Sequence, residues 1–515
     1  MPKCLRFIPI AAALLLLISG QVARAEQPPR SAATKACLSC HTSIHPGMVS
    51  SWEKSRHARF TSAQGLQVNE LSSRVSAKTI PDNLLKVSVG CAECHTLNPQ
   101  KHEDTFNHNG FKVHAVVTPE DCAVCHPVEA EQYGQNLMSQ ARGNLADNPV
   151  YQALELSING QPKLDQTRLV WQEPKRLTRE EACFYCHGSK VEVSGMQTRK
   201  TSMGPMAFPE YRGWPNQGAG RANPDGSLGS CSVCHTRHEF SVVTARQPFT
   251  CRECHVGPDV PASKVYTASK HGNIFHSRKD TWSFSNIPWT IGQDFTAPTC
   301  ATCHISLTVT PQGKVVAERT HRLNDRLAWR IFGLIYAHPH PKDADTSKIV
   351  NDQGLHLPTT LDGELAEEHL ISKQEQEARD QTMQSVCRGC HAESWVQGHF
   401  QRFHQTIETT NQAVRVGTEV MESIWEEGLA VGLGQGGNPF DEGIERAWSR
   451  LWLIYANKIR FASAMAGGGD YGVFAQGRFD LSRQITELQE YLEQRSEDRD
   501  QRSEAREQKT ENRRQ

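Results

Sequence analysis

Apolar and polar positions divide the chain into regions of different grain. Lys3 and Arg6 precede an apolar run from Phe7 to Ser19, and Ala23-Arg24-Ala25 follows it. A basic start, an apolar centre and small residues in that order read as a Sec-type signal peptide over residues 1–25, too short for a membrane span. Cys4 falls inside it. From residue 26 to 362 no period persists. Gly and Pro interrupt the chain, as in Gly204-Pro205, Trp214-Pro215 and Asn223-Pro224-Asp225-Gly226, which predicts short helices and long loops with little sheet. From residue 363 the pattern changes. Glu364 to Cys387, His399 to Glu427 and Asp441 to Ala464 read as long helices. In the last, Ile444, Trp448, Leu451, Trp452, Tyr455 and Ile459 recur at three and four residues and make one apolar face, the mark of helix packing. Gly432 to Gly437 follows a helix with no strand before it, so it reads as a turn and not a phosphate loop. Arg495 to Gln515 is almost wholly polar and is expected to fray or be disordered. The expected organisation is a leader (1–25), a core (26–362), a helical region (363–494) and a polar tail (495–515), mainly α throughout.

Charge adds little. The formal net charge is -1, and removing Lys3, Arg6 and Arg24 takes it to -4. No basic stripe or binding-motif spacing suggests nucleic acid. No later stretch approaches the apolar length needed to span a bilayer. The mature chain is therefore expected outside the cytoplasm, in the periplasm of a Gram-negative cell.

Cysteine changes the picture. There are 17. Apart from Cys4 they form eight pairs, each spaced C-x-x-C and each followed at once by His. The first four are Cys37/Cys40/His41, Cys91/Cys94/His95, Cys122/Cys125/His126 and Cys183/Cys186/His187. The others are Cys231/Cys234/His235, Cys251/Cys254/His255, Cys300/Cys303/His304 and Cys387/Cys390/His391. C-x-x-C-H is the attachment signature of c-type haem. Two thiols three positions apart reach the two vinyl groups on one porphyrin edge, and the adjacent His lies under the iron. Redox dithiols, zinc sites or eight disulfides would leave the invariable His unexplained. Eight covalent haems are expected. Their propionates would engage some of the Arg and Lys side chains. The fifth and sixth motifs begin only 20 residues apart, so those haems must be neighbours in a shared core.

Histidine supports the count. Of 23, fifteen remain after the eight proximal ones. A six-coordinate haem takes a second His opposite the first. His57, His114, His238, His271, His321 and His404 are the candidate distal ligands, with His338 and His399 also in suggestive positions. His238 lies one helical turn after His235, so it cannot cap the same iron but is placed to reach a neighbour's. For each of them the bland alternative is a surface histidine or one satisfied in the core.

The eight motifs, their spacing and the helical C-terminal third resemble the octahaem hydroxylamine oxidoreductase family. So do the stretches from Trp214-Pro215-Asn216 through Gly226, from Cys231 to Phe240, and Ser269-Lys270-His271-Gly272-Asn273. The likeness covers most of the mature chain. It implies a homotrimer of mainly helical subunits with a loop-rich core packed by haems. It implies seven bis-His electron carriers and a five-coordinate catalytic haem on the fourth motif, above His187. The substrate implied is a small inorganic nitrogen compound, hydroxylamine or nitrite. The redox partner implied is a cytochrome or a quinol-linked membrane cytochrome. Oxidising members of the family link a partner subunit's Tyr to the catalytic haem. Tyr455, Tyr471 and Tyr491 lie in the corresponding region, and Tyr471, after Gly467-Gly468-Gly469-Asp470, is the best placed of them; otherwise it is an ordinary loop tyrosine. Those members also hold an Asp-His pair over the catalytic iron. The matching stretch here reads Asn216-Gln217, and amides cannot accept protons as a general base does. That departure favours the reductive direction over hydroxylamine dehydrogenation. Pentahaem and octahaem nitrite reductases usually carry a proximal Lys, and no C-x-x-C-K occurs here. The other class of function is an electron conduit in which all eight irons are bis-His and no chemistry is done.

Overall fold

The computed structural model describes residues 27–216, 218–432, 437–466 and 471–513. The expected leader and Gln217 lie outside the described residues, as does most of the Gly432–Gly437 turn. The first part of the chain is assembled from short helices, turns and β-ribbons. Helix α1 (Ala32–Ile44) starts where the Ser31 hydroxyl accepts the Thr34 amide, and α2 (Pro46–Lys54) starts with proline in its first turn, where the missing N–H costs nothing. Three motif segments, Cys91–His95, Cys183–His187 and Cys300–His304, are each one short helix running from the first thiol to the histidine. One helical turn puts both thiols on the same face. The residues between the thiols can also cap that turn. Glu93 accepts the Gly90 amide at 2.9 Å and the Thr34 hydroxyl at 2.6 Å, which ties the second motif to α1.

The sheet is confined to small antiparallel ribbons and one three-stranded patch. β1 (Phe106–His108) pairs with β2 (Phe111–Val113). Their two-residue turn places both Asn109 (φ 48°) and Gly110 (φ 84°) in the left-handed region, as a type I′ hairpin requires. β3 (Gln161–Asp165) pairs with β4 (Arg168–Gln172), and β5 (Glu192–Thr201) with β6 (Gly204–Arg212). β7 (Trp289–Thr290), β8 (Thr308–Val309) and β9 (Val315–Ala317) form the patch, in which β7 and β8 run parallel. β10 (Trp329–Arg330) pairs with β11 (His338–Pro339). Helix α3 (Pro149–Asn159) precedes β3.

Long helices occupy the C-terminal third: α4 (Lys373–Arg388), α5 (Glu393–Glu426), α6 (Gly443–Arg450), α7 (Asn457–Ala466) and α8 (Tyr471–Glu511). A π-helical segment, Leu451–Ala456, joins α6 to α7. The apolar face read from the sequence is the core of this bundle. Trp448, Leu451, Trp452, Tyr455 and Ile459 are buried against Val414, Met421 and Ile424 of α5 and Leu481 and Leu488 of α8. Each such side chain contributes roughly 1.5–3 kcal/mol when fully buried. Tyr336, from the loop between β10 and β11, joins the same cluster and fastens the bundle to the rest of the chain.

Two boundaries differ from expectation. The segment from Glu364 is not yet helical: Leu365 bridges back to Thr359, and α4 begins only after Ser372, whose hydroxyl accepts the Glu375 amide. The described part of the polar tail is helical: α8 runs unbroken to Glu511. No Gly or Pro occurs after Gly477, and Glu, Arg, Gln and Lys are good helix formers even with no apolar face to bury. Among the described residues, no helix is long and apolar enough to cross a membrane.

Candidate functional site

Four motif histidines face a second imidazole across a gap, and a fifth, His95, has His114 at 6.1 Å but with both His114 nitrogens turned to backbone carbonyls. The ring centres of the four are 6.0 Å apart for His41 and His108, 6.2 Å for His126 and His57, 6.3 Å for His235 and His321, and 6.1 Å for His391 and His271. Two metal–nitrogen bonds of about 2.0 Å, with about 1.2 Å from each nitrogen to its ring centre, span roughly 6.4 Å. Each pair therefore brackets a space one iron wide. Burial pushes His57, His235 and His321 down to about 4, so these imidazoles are neutral and keep the lone pair that a metal needs. Proximal rings are also aimed from behind. His95 Nδ1 lies 2.8 Å from the His114 carbonyl and His187 Nδ1 lies 3.1 Å from the Ala141 carbonyl, which leaves Nε2 of each for the iron.

His238 reaches the second motif by a strained path. Thr236 (φ 62°), His238 (φ 70°) and Phe240 (φ 47°) all sit in the left-handed region, at a cost of order 1 kcal/mol or more each. The half-buried His238 couples electrostatically to His95 and not to the His235 beside it in sequence. Two further histidines hold a ligand's posture. His338 and His340 are buried, with Nδ1 on the Pro339 carbonyl (2.7 Å) and the Pro341 carbonyl (3.2 Å). Burial lowers both to about 3.

The fourth and sixth motifs share charged neighbours, because Arg330 and Asp259 act on both His187 and His255. Among the described residues no ring contact joins His187 to another imidazole, as is also true of His255 and His304. Burial lowers the His187 pKa, and the charged groups that act on it are Arg330 and Asp259. Tyr151 hydrogen-bonds Arg330, and Asp259 acts on it as well. Behind the motif the backbone is packed on glycine. Gly188 has φ 94°, and a Cβ there would stand 2.3 Å from the Arg221 amide. Asn216 closes this turn: Oδ1 accepts the Ser189 and Gly218 amides (3.1 and 2.8 Å), and Nδ2 donates to the Phe184 carbonyl (3.0 Å).

Several buried guanidinium nitrogens have no partner among the described residues: Arg142 Nε, Arg237 Nη2 and Arg460 Nε. Arg142 lies over the Phe184 ring of the fourth motif at 5.6 Å. Arg142 and Arg237 stand beside attachment motifs, where orphaned charged donors are what carboxylates of a bound haem would satisfy. The donor set, the iron-wide gaps and these orphans all fit covalent haem.

Comparison with known proteins agrees. Residues 224–329 match the family described as "Seven times multi-haem cytochrome CxxCH", and residues 36–127 match "Cytochrome c554 and c-prime". A curated relative, the probable nitrite reductase-hydroxylamine oxidoreductase fusion protein of Kuenenia stuttgartiensis, is 25% identical over 286 residues. That match takes in 52% of this chain and 25% of the relative's length. The reducing HAO-like protein complex of Kuenenia stuttgartiensis shares the fold, with a TM-score of 0.59 at 18% identity over 90% of this chain and 85% of that one. A solved "Hypothetical multiheme protein" superposes with a TM-score of 0.85 at 40% identity, over 92% of this chain and 98% of its own. The chain is a multihaem c-type cytochrome.

The motifs of this multihaem cytochrome form a branched contact path. The first and second motifs influence each other through Cys37 and Cys91, and the second and third through Cys94 and Cys125. Cys122 of the third motif and Cys231 of the fifth are in hydrogen-bonding contact. The fifth motif's Cys234 acts on both thiols of the sixth. From the sixth, Cys254 touches Cys186 of the fourth, and Cys251 touches Cys300 of the seventh. Cys303 of the seventh acts with Cys387 and Cys390 of the eighth.

Cys40 departs from the expectation that the motif thiols share one core. It is the second attachment thiol expected of the first motif, yet among the described residues no hydrogen bond joins it to another motif. Its Sγ lies 3.8 Å from the hydroxyl of the exposed Ser39 beside it. The reason is its place near the end of α1, where the chain comes to the surface and residues 42–48 are all exposed. Cys37, one helical turn earlier, is the thiol that turns inward to Cys91. The pair still has the spacing that haem attachment needs, with the first motif at the rim of the array.

Of the expected distal histidines, His57, His271 and His321 face a motif histidine at iron width, and His238 couples to one. His114 does not serve. Its Nδ1 and Nε2 lie 3.2 and 3.0 Å from the Val116 and Leu97 carbonyls, and its ring stacks on His102 at 3.6 Å. Its own carbonyl orients the proximal His95, which puts it on the wrong side of that iron. His404 is also engaged elsewhere, with Nε2 3.2 Å from Asp380. His399 lies beside Trp395. Asn216 is no stand-in for a proton acceptor, because both ends of its amide are used by backbone. Tyr471 is the first residue of α8, and its side chain lies outside the described residues. His108 and His340 were not anticipated; an Asn-Gly turn after Phe106-Asn107-His108 and the His-Pro-His-Pro run were the available signals.

Proposed function

We propose that this chain is a periplasmic octahaem oxidoreductase that exchanges several electrons with hydroxylamine or nitrite at the haem on Cys183 and Cys186, while seven bis-His haems carry electrons. What supports the reading is the resemblance of the fourth motif to the family's catalytic one, together with the lack, among the described residues, of a ring contact from His187 to another imidazole. His41, His126, His235 and His391 have an opposing imidazole, and His95 has His238. His338 and His340 are buried imidazoles that we assign to the remaining motifs, His255 and His304. Arg330 and Asp259 act on His187, as they do on His255, and Tyr151 bonds Arg330. A haem held there supplies an iron with a position open to a small nitrogen ligand. The protein's own residues would do the rest. Arg330 favours an anion by its charge, Asp259 and Tyr151 hold or pass protons near the site, and the Gly188–Asn216 turn fixes the motif. The branched motif path supports electron delivery to it. The reductive direction fits Asn216-Gln217 in place of an acid–base pair. Homotrimeric assembly and a quinol-linked or soluble cytochrome as donor follow from the family.

The test is ligand titration of the purified holoprotein. Cyanide or nitric oxide should bind one haem in eight, with a high-spin ferric signal, and reduced protein should be reoxidised by nitrite or hydroxylamine. Binding to none, with all irons low-spin, would make the chain a conduit. A Tyr-containing peptide attached to the haem peptide of residues 183–187 would reverse the direction to oxidation.

A further inference from the structure

Trp395 is a large apolar residue with 42% of its surface exposed. It lies in the first turn of α5 and stacks on the proximal His391 of the eighth motif, with ring centres 4.1 Å apart and planes 18° apart. Its far side stacks on His399 at 5.4 Å and 12°. A tryptophan fixed on both faces by flat rings loses little freedom when a partner covers its edge. Cys390 of the same motif is the exposed one among the described motif thiols, so the attachment edge itself comes to the surface here. The eighth motif also ends one arm of the motif path, three steps from the fourth through the seventh and sixth. Beside Trp395, Arg388 and Glu393 cancel each other: Arg388 Nη2 and the Glu393 carboxylate are 3.0 Å apart and a second Arg388 nitrogen also bonds it. The exposed Arg402 acts on His399 and leaves one positive charge by the stack.

From this stack, its exposure and its place at the end of the path, we infer that Trp395 and the exposed edge at Cys390 form the docking surface for a one-electron carrier protein with an exposed haem edge. This rests on haem attachment alone and not on the identity of the substrate. One electron leaves the carrier's ferrous iron and arrives at the ferric iron held by His391. The carrier is oxidised by one electron, this chain is reduced by one, and no bond forms or breaks. An aromatic anchor with a single net positive charge beside it recognises its partner mainly by apolar fit, so association should depend only modestly on ionic strength. A second exposed apolar pair, Ile44 and Met48, stands beside the first motif at the other end of the path and provides the comparison surface.

The experiment is stopped-flow mixing of the ferric holoprotein with a small ferrous c-type cytochrome, and separately with dithionite. Wild type is compared with Trp395→Ala, Trp395→Phe and the double variant Ile44→Ser/Met48→Ser. Loss of an interface tryptophan anchor should slow protein-to-protein transfer roughly thirtyfold in Trp395→Ala. Trp395→Phe should keep most of the rate, and Ile44→Ser/Met48→Ser should match wild type. Reduction by dithionite and the oligomeric mass should be the same in all four. Transfer to Trp395→Ala at the wild-type rate would overturn the inference, and so would a loss carried by Ile44→Ser/Met48→Ser. An equal slowing with dithionite would make Trp395 a prop for the haem only. A changed mass would make this face a contact between copies of the chain.

Discussion

His102 sits wholly inside the protein between two carboxylates, with Nδ1 3.2 Å from Asp104 and Nε2 3.2 Å from Asp121. Burial alone would lower its pKa. The hydrogen bonds and charges of Asp104 and Asp121 outweigh burial and raise it from 6.5 to about 9. Asp104 also accepts the Ala115 and Val116 amides and the Tyr211 hydroxyl, which fixes the segment whose His114 carbonyl orients His95. Ligand atoms of His102, Asp104 and His114 lie within 4.8 Å of one another, but both His102 nitrogens are taken by Asp104 and Asp121, so the charged imidazole is the centre of this cluster. The shift corresponds to about 3 kcal/mol of stability. Because the folded value is the higher one, that stability is fully present below pH 6.5 and is lost as the pH rises through 9. The depressed Asp104 and Asp121 work in the opposite sense, and their contribution disappears in acid. His102→Asn leaves two buried carboxylates uncompensated and should cost roughly 3–5 kcal/mol locally. Hydrogen exchange by mass spectrometry over residues 95–121, corrected for intrinsic rates, reads this directly. Wild type should lose protection from pH 6.5 to 9, while His102→Asn should be poorly protected throughout. Equal protection of the two proteins at pH 7 would refute the argument.

Three other outcomes are expected. Gly188→Ala forces a Cβ into the Arg221 amide at a left-handed φ, so the holoprotein should carry one haem fewer per chain by pyridine haemochrome assay, the missing one on peptide 183–187. His108→Ala removes the imidazole opposite His41 and should add one high-spin haem and one cyanide site, with haem content unchanged. Asn216→Asp keeps the acceptor but loses the donor to the Phe184 carbonyl, which should cost roughly 1–3 kcal/mol and appear as a lower thermal midpoint and weaker cyanide binding.

What could be read from the sequence was local. Thiols three apart with a histidine behind them are a covalent requirement written into five consecutive residues, and the Ile444–Ile459 stripe is one helix's geometry. Pairing of histidines is a tertiary fact. His391 meets His271 from 120 residues away, and no spacing rule connects them. Cys37 and Cys40 look alike as a pair, and only the fold shows that one turns inward and the other stays at the rim. His114 misled because nearness to a motif in sequence does not say which side of the iron it occupies. Asn216 was read only as the absence of a proton acceptor, and the sequence did not show that its amide is a two-ended backbone clamp. Polarity in residues 495–511 was taken for disorder, although a run of helix-forming residues with no breaker needs no core to stay helical.

The sixth motif, Cys251 to His255, meets the fourth, fifth and seventh. The array is therefore a T and not a line, and its parts are unequally expendable. Breaking the first or eighth motif shortens one limb. Breaking the sixth leaves three islands with no shared current, the fourth motif alone among them. Charge arriving by either limb is pooled at the sixth motif, one step from the fourth.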